Sequence, residues 1–280
     1  MKPAMRHYTL PRIALYTALI FMSVVWLFPV FFIANTALRS NADIMTRGLF
    51  TFPETIQWGN FIESWTVGNM STYIFNSLYI STVSSLGTTF LSLILAFAIS
   101  RMKFKYGRAV YLSMLILMMI PPTTVIIPQV MVLNTMGLLN TRTGMIFSCV
   151  TGGIPFFTFL MTGYMKSVPM EIDESAVIDG CGDFKRFLYL ITPLCLPVLA
   201  TVYILNFLAD WNDFIFSLVI LRTESIRTLA LGLVNYSDRY GTQFHLLSMG
   251  ILIATIPVTI VYLSLQKYFV AGLAAGAVKA

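Results

Sequence analysis

Glu171, Asp173, Glu174, Asp179 and Asp183 crowd one short stretch of a chain in which only 11% of residues are charged. Such a cluster could hold a metal, run acid–base chemistry or present charge to a partner. The first two roles lack their usual companions. His7 and His245 are far apart in sequence and have no carboxylate at metal-ligand spacing. Cys149, Cys181 and Cys195 form no Cys-x-x-Cys pair and are odd in number, which argues against a zinc site or a disulfide framework. No nucleophile, base and acid fall at a recognisable spacing, so the sequence gives no support to an enzyme. A phosphate-binding loop needs Gly-Lys followed by Ser or Thr, and the chain contains no Gly-Lys dipeptide. Charge presented to a partner is the remaining role.

The stretch reads MEIDESAVIDGCGDFKRFLYLITPLCLP from Met170 to Pro197. Ser167 is placed to cap a helix, Pro169 suits its first turn, and Glu171, Asp173 and Glu174 complement the dipole there. Ala176, Val177 and Ile178 continue the helix, and Gly180 is placed to end it in the left-handed conformation. Gly182 and Asp183 then permit a second start, and Phe184 to Leu190 lead toward an apolar span. Helices that merely rest on lipid are usually basic. The first half of this one is acidic, which anionic lipid would repel, so a protein partner is the better reading.

Two further groups stand out. A carboxylate at the bilayer centre costs about 2.5–3.5 kcal/mol on insertion scales. Asp210, Trp211, Asn212 and Asp213 therefore line a wet translocation path, face a neighbouring helix, or sit at the outer interface with Trp211 in the aromatic belt. Pro121 and Pro122 interrupt an apolar run and are expected to leave the carbonyls of Leu117 and Met118 without helical partners; Pro257 does the same to Ile253. A hinge and a static kink are both open for the proline pair.

These residues must be positioned by membrane helices. The chain of 280 residues is 57% hydrophobic, with a mean hydropathy of +0.79. Soluble domains carry about 25% charged residues, so this surface cannot face water throughout. A span needs about 20 apolar residues, and the charge-free intervals place six helices near residues 13–36, 74–99, 109–133, 144–165, 194–219 and 248–267. The bilayer cannot solvate bare backbone, so helix is the expected state. The first span has a basic flank but exceeds the about 7–15 apolar residues of a signal peptide, and a retained anchor is expected. Alternating the loops between the two sides places 12 Lys and Arg on the side of both termini and 6 on the other. By the positive-inside rule the termini and the acidic segment face the cytoplasm. The net charge of +6 is thus a matter of topology rather than a nucleic-acid signal. No internal repeat, linker or low-complexity tract divides the chain, which reads as one membrane domain over residues 1–280.

Glu174-Ser175-Ala176, three residues, Gly180, nine residues and Leu190-Ile191-Thr192-Pro193 together resemble the EAA motif of ABC-importer permeases. That pattern has Ala, Ile and Leu where this chain has Ser175, Leu190 and Thr192. The stretches FNSLYISTVSSLGTTFLSLILAFAISRMKFKYGR, ADWNDFIFSLVIL and YFVAGLAAGAVKA are similar to the second helix and following loop, the fifth helix and the C-terminal tail of carbohydrate-uptake permeases of the maltose-transporter type. The resemblance implies an all-α integral membrane fold with six spans and a cytoplasmic coupling-helix loop over residues 167–193, as in type I ABC importers. It implies that Glu174, Ser175, Ala176, Asp179, Gly180 and Pro193 couple the chain to a cytoplasmic ATPase dimer, which binds ATP and Mg so that this chain needs no cofactor. It also implies a second permease subunit, an extracytoplasmic sugar-binding protein meeting the loop 222–247 with Tyr236 and Tyr240, and a tail from Gly272 to Ala280 reaching into the ATPase dimer. A carbohydrate substrate and the cytoplasmic membrane of a bacterium or archaeon follow from the same likeness. The rival is an ion-coupled secondary transporter working alone, which needs a buried charge relay. The first four expected spans contain no Asp, Glu, Lys or Arg.

Overall fold

The computed structural model describes residues 9–102, 105–238 and 241–277. Lys2, Arg6, His7, Lys103, Arg239, Tyr240, Lys279 and the end of the tail at Ala280 lie outside the described residues. Where the sequence reads as one domain, the contacts group into two compact units, residues 1–68 with 235–253 and residues 69–234 with 254–280.

In the first unit, α1 (Thr9–Ala37) is exposed at every position from 14 to 31. Lipid tails are as apolar as these side chains, so nothing drives them inward. The chain then folds back through α2 (Asn41–Arg47) and α3 (Gly59–Val67). Arg39 is fully buried here and is satisfied by its neighbours. Its Nε donates to Asp43 Oδ2 at 2.6 Å and its Nη1 to the Gly48 carbonyl at 2.8 Å. Asn60 Nδ2 donates to the carbonyls of Ala37 and Arg39, both at 2.8 Å, and closes the end of α1.

The second unit is built on α4 (Met70–Arg101), which packs along α7 (Arg142–Met165) and α11 (Leu196–Trp211). Ser77, Ser81, Ser84, Ser85, Thr88 and Ser92 recur at helical spacing and are all buried. Small residues let membrane helices approach closely. At Gly153 of α7, an added Cβ would lie 2.9 Å from Thr88 Cγ2 and 2.8 Å from Asn206 Oδ1, so three helices meet where no side chain fits. Below this contact Phe97, Phe157, Met161, Met165, Ile191 and Val198 form an apolar core.

Among the described residues, four helices are continuous and apolar enough to cross a membrane, and two bent pairs pass the same test together. The expected span at 109–133 is one such pair. It breaks into α5 (Gly107–Met118), a 3₁₀ turn at Pro122–Val125 and α6 (Ile126–Thr135), with a 98° bend. The prolines do break the helix, but one expectation about the carbonyls fails. The Leu117 carbonyl accepts from Ile120 N at 3.2 Å, because the chain tightens to i→i+3 bonding before the break. Pro257 leaves α14 (Phe244–Ala277) continuous. The expected span at 194–219 is also interrupted. Its helix α11 ends at Trp211, and a separate α12 (Ile215–Ile220) follows. A short α13 (Leu229–Gly232) and a two-stranded hairpin, Ser237–Asp238 with Gly241–Thr242, complete the connection to α14.

Gly153→Leu should overpack this three-helix contact and cost about 1–3 kcal/mol, read as a lower midpoint of thermal unfolding in detergent. Gly152→Leu, where an added Cβ meets nothing within 4 Å, should leave the midpoint unchanged.

Candidate functional site

Helix α8 (Met170–Ile178) carries the acidic segment. Ser167 does not cap it. Pro169 occupies the position outside the first turn, and the Ser167 hydroxyl instead donates to the Tyr164 carbonyl at 2.7 Å, at the end of α7. The other end forms as the spacing predicts. Gly180 has φ +79°, its N–H reaches the Val177 carbonyl at 3.0 Å, and Cys181 N–H reaches the Ala176 carbonyl at 2.9 Å. This paired closure satisfies the last carbonyls of the helix and turns the chain sharply.

The two faces of α8 differ. Glu174, Ser175, Val177, Ile178 and Asp179 are exposed, Ile178 to 86%, while Ala176 is half-buried. Asp173 points the other way and is 1% exposed. Its Oδ2 lies 3.3 Å from Arg101 Nη1, at the end of α4, and its Oδ1 lies 3.1 Å from Arg186 Nε. Arg186 also pairs with Asp183 at 2.7 Å, and its guanidinium stands 6.0 Å from the centre of the Phe97 ring on α4. Arg101 donates further to the carbonyls of Met165 and Val168, the latter at 2.7 Å. The one buried carboxylate faces both buried arginines, and the exposed Asp183 gives Arg186 a second partner, which makes the buried charge tolerable. Sequence reading used Asp173 only for the helix dipole and the arginines only for orientation. Their sharing of one buried cluster was missed. The available signal was that charges so rare in this chain seldom stay unpaired.

Beyond Gly180, α9 (Asp183–Lys185) runs into a wider turn at Arg186–Ile191 and then α10 (Thr192–Leu194). Pro193 has no N–H for the preceding turn. The N–H and the hydroxyl of Thr192 both reach back to the Phe187 carbonyl, the hydroxyl at 2.7 Å, and close the widened turn. Widened turns of this kind often mark functional sites. From here the chain bends by 75° into α11.

At the far end of α11 the four polar candidates separate. Asp210 is 7% exposed and accepts from Ser84 Oγ of α4 and from Asn206 Nδ2 at 3.1 Å. Trp211 is buried and stacks on Phe207 at 5.8 Å. Asn212 Nδ2 returns to the Leu208 carbonyl at 2.8 Å. Asp213 Oδ1 accepts from Ser217 N at 2.9 Å and caps the first turn of α12. Asp210 and Trp211 thus lie against their own chain's helices, and the four do not form one surface. In the following loop Tyr236 is buried, with its hydroxyl donating to the Ser64 carbonyl at 2.6 Å, so it is not presented to a partner. Glu224 accepts from Tyr73 and Asn69 at 3.0 and 3.1 Å. Among the described residues no group of three or more His, Cys, Asp or Glu is placed to hold a metal.

The family described as binding-protein-dependent transport system inner membrane component matches residues 88–274. The Melibiose/raffinose/stachyose import permease protein MelC of Bacillus subtilis is 31% identical over 252 residues, covering 90% of this chain and 91% of that protein. The Galactooligosaccharides transport system permease protein GanQ of the same organism is 32% identical and covers 94% of each. In fold, the chain is similar to a chain of a bacterial ABC transporter involved in import of the acidic polysaccharide alginate. The TM-score is 0.80 at 22% identity, over 96% of this chain and 100% of that one. A chain of the methionine ABC transporter MetNI, in inward-facing conformations, matches at TM-score 0.60 and 14% identity, over 72% of this chain and 95% of that one.

The cap at Asp213 makes a prediction. Asp213→Ala removes the acceptor and should cost about 1 kcal/mol, read as a lower unfolding midpoint in detergent. Asp213→Asn keeps an acceptor oxygen and should leave the midpoint in place.

Proposed function

The chain belongs to the binding-protein-dependent transport system inner membrane component family, and from that premise we propose that it is half of a carbohydrate path driven by a separate ATPase. It is a transport permease rather than an enzyme. The names of its relatives, which include importers of melibiose, raffinose and stachyose and of galactooligosaccharides, support an oligosaccharide as substrate. A second permease completes the path, two cytoplasmic ATPase subunits supply the energy, and an extracytoplasmic binding protein delivers the sugar. A bacterial alginate ABC transporter of similar fold forms a complex with an alginate pentasaccharide-bound periplasmic protein, which supports the last of these.

The observation that carries the coupling role is α8. A nine-residue helix ends in a sharp glycine turn and leaves Glu174, Ser175, Val177, Ile178 and Asp179 exposed. An apolar tip beside carboxylates fits a groove with an apolar floor and a basic rim. Lipid fits poorly, because Glu174 and Asp179 would face anionic headgroups. Docking of α8 in an ATPase subunit places this loop and both termini in the cytoplasm. Closure of the ATPase dimer then displaces α8, and the membrane helices follow as a rigid-body change between two states. Asp210, Trp211, Asn212 and Asp213 are retained as candidates near the path. Asp210 acts by holding α11 to α4 through Ser84, and the helix breaks after Trp211. Pro121 and Pro122 are the candidate hinge. The ion-coupled alternative needs a relay of ionisable groups, whereas Asp210 accepts from the uncharged Ser84 and Asn206.

Glu174→Lys reverses the charge on the exposed face. It should reduce co-purification of the chain with its ATPase subunits at least tenfold while leaving its own expression and thermal midpoint unchanged. Normal co-purification of both Glu174→Lys and Gly180→Pro would refute docking through α8.

A further inference from the structure

Asp173 lies on the inward face of α8, opposite the residues proposed to dock. The covalent path from α8 into the membrane is weak at both ends. Residues 166–169 join it to α7, and the glycine turn at Gly180 joins it to the next segment. A helix held only by these links could swivel in place when a partner pulled on it. The buried cluster removes that freedom. One carboxylate oxygen faces Arg101 at 3.3 Å and the other faces Arg186 at 3.1 Å, so a turn of the helix about its axis would break both contacts of this one side chain. Arg101 is the last residue of α4, and Arg186 leads through the widened turn into α11. Phe97, one turn before Arg101, lies under the Arg186 guanidinium. Arg101 also grips the carbonyls of Met165 and Val168, so the end of α7 joins the same cluster.

We propose that Asp173 is the positioning residue that makes α8 move as one body with α4 and with the entrance to α11. This rests on the reading of α8 as the docking helix. The docking face and the transmitting face are then opposite sides of one short helix, and mutations can separate them. Loss of the Asp173 charge leaves two buried cations facing each other around an uncharged side chain. Asp183 is 57% exposed and reaches Arg186 alone, so it cannot replace the link to Arg101.

The test uses the complete transporter purified through its ATPase subunits, with spin labels at Ile172→Cys on α8 and Phe90→Cys on α4. Both positions are exposed, and the doubly labelled chain must first be shown to co-purify with the ATPase subunits. Cys149, Cys181 and Cys195 are replaced first. With Asp173 present, the distance between the labels should be the same without nucleotide and with ATP and Mg. Asp173→Asn should still co-purify with the ATPase subunits, yet its distance should shift or broaden when ATP and Mg are added. Asp173→Glu should return it toward the nucleotide-independent value. If Asp173→Asn does not assemble, Arg101→Lys decides, because it loosens the same link and should give the same ATP-dependent shift. A nucleotide-independent distance in the variant that assembles would overturn the proposal. Failure of the unsubstituted chain to bring down any ATPase would instead refute the docking reading.

Discussion

A bilayer offers no hydrogen bonds, so an interrupted helix or a charged group within it is costly unless the protein supplies partners. That constraint explains much of this structure. The proline break in the third expected span is preceded by tightened i→i+3 bonds. The widened turn before Pro193 is closed by the N–H and hydroxyl of Thr192 on the Phe187 carbonyl. The polar stripe of α4 is turned inward, where Ser84 meets Asp210 and Ser85 meets Asn206. Arg39, wholly buried in the other unit, is wrapped by a carboxylate and carbonyls. The charged cluster under α8 is the most demanding case, because buried Asp173 faces both Arg101 and Arg186.

Much of this was legible in the sequence, for reasons that differ by element. The continuous spans could be read from hydropathy because apolar length and absence of charge are local properties. The glycine turn after α8 was legible because only a few closures end a helix, and glycine at the right distance selects one of them. Ser167 was misread because capping depends on where the first turn begins, and Pro169 moved that point. The breaks at Pro121–Pro122 could be seen, but not their 98° angle, which depends on how α6 packs with α4, α7 and α12. The Asp173 cluster was illegible for a different reason. Arg101 is 72 residues away in sequence, and only the packing of α4 beside α8 brings the pair together. Tyr236 was likewise expected in a partner-facing loop, yet a distant Ser64 claims it.

The account of function depends on α8 having two distinct faces. Outward it presents carboxylates and an apolar tip in the place the EAA-type spacing assigns to a coupling segment. Inward it is fastened at a single carboxylate. Under the docking proposed for α8, this division lets an ATPase subunit act on buried helices through one short segment.

The most direct measurement is a photo-crosslinking residue at Ser175, in the middle of the exposed face of α8, within the intact transporter in membranes. The account predicts a crosslink to the ATPase subunit, identified by mass spectrometry of the joined peptides. Crosslinks to lipid or to this chain alone, in a preparation that still hydrolyses ATP and transports sugar, would contradict it.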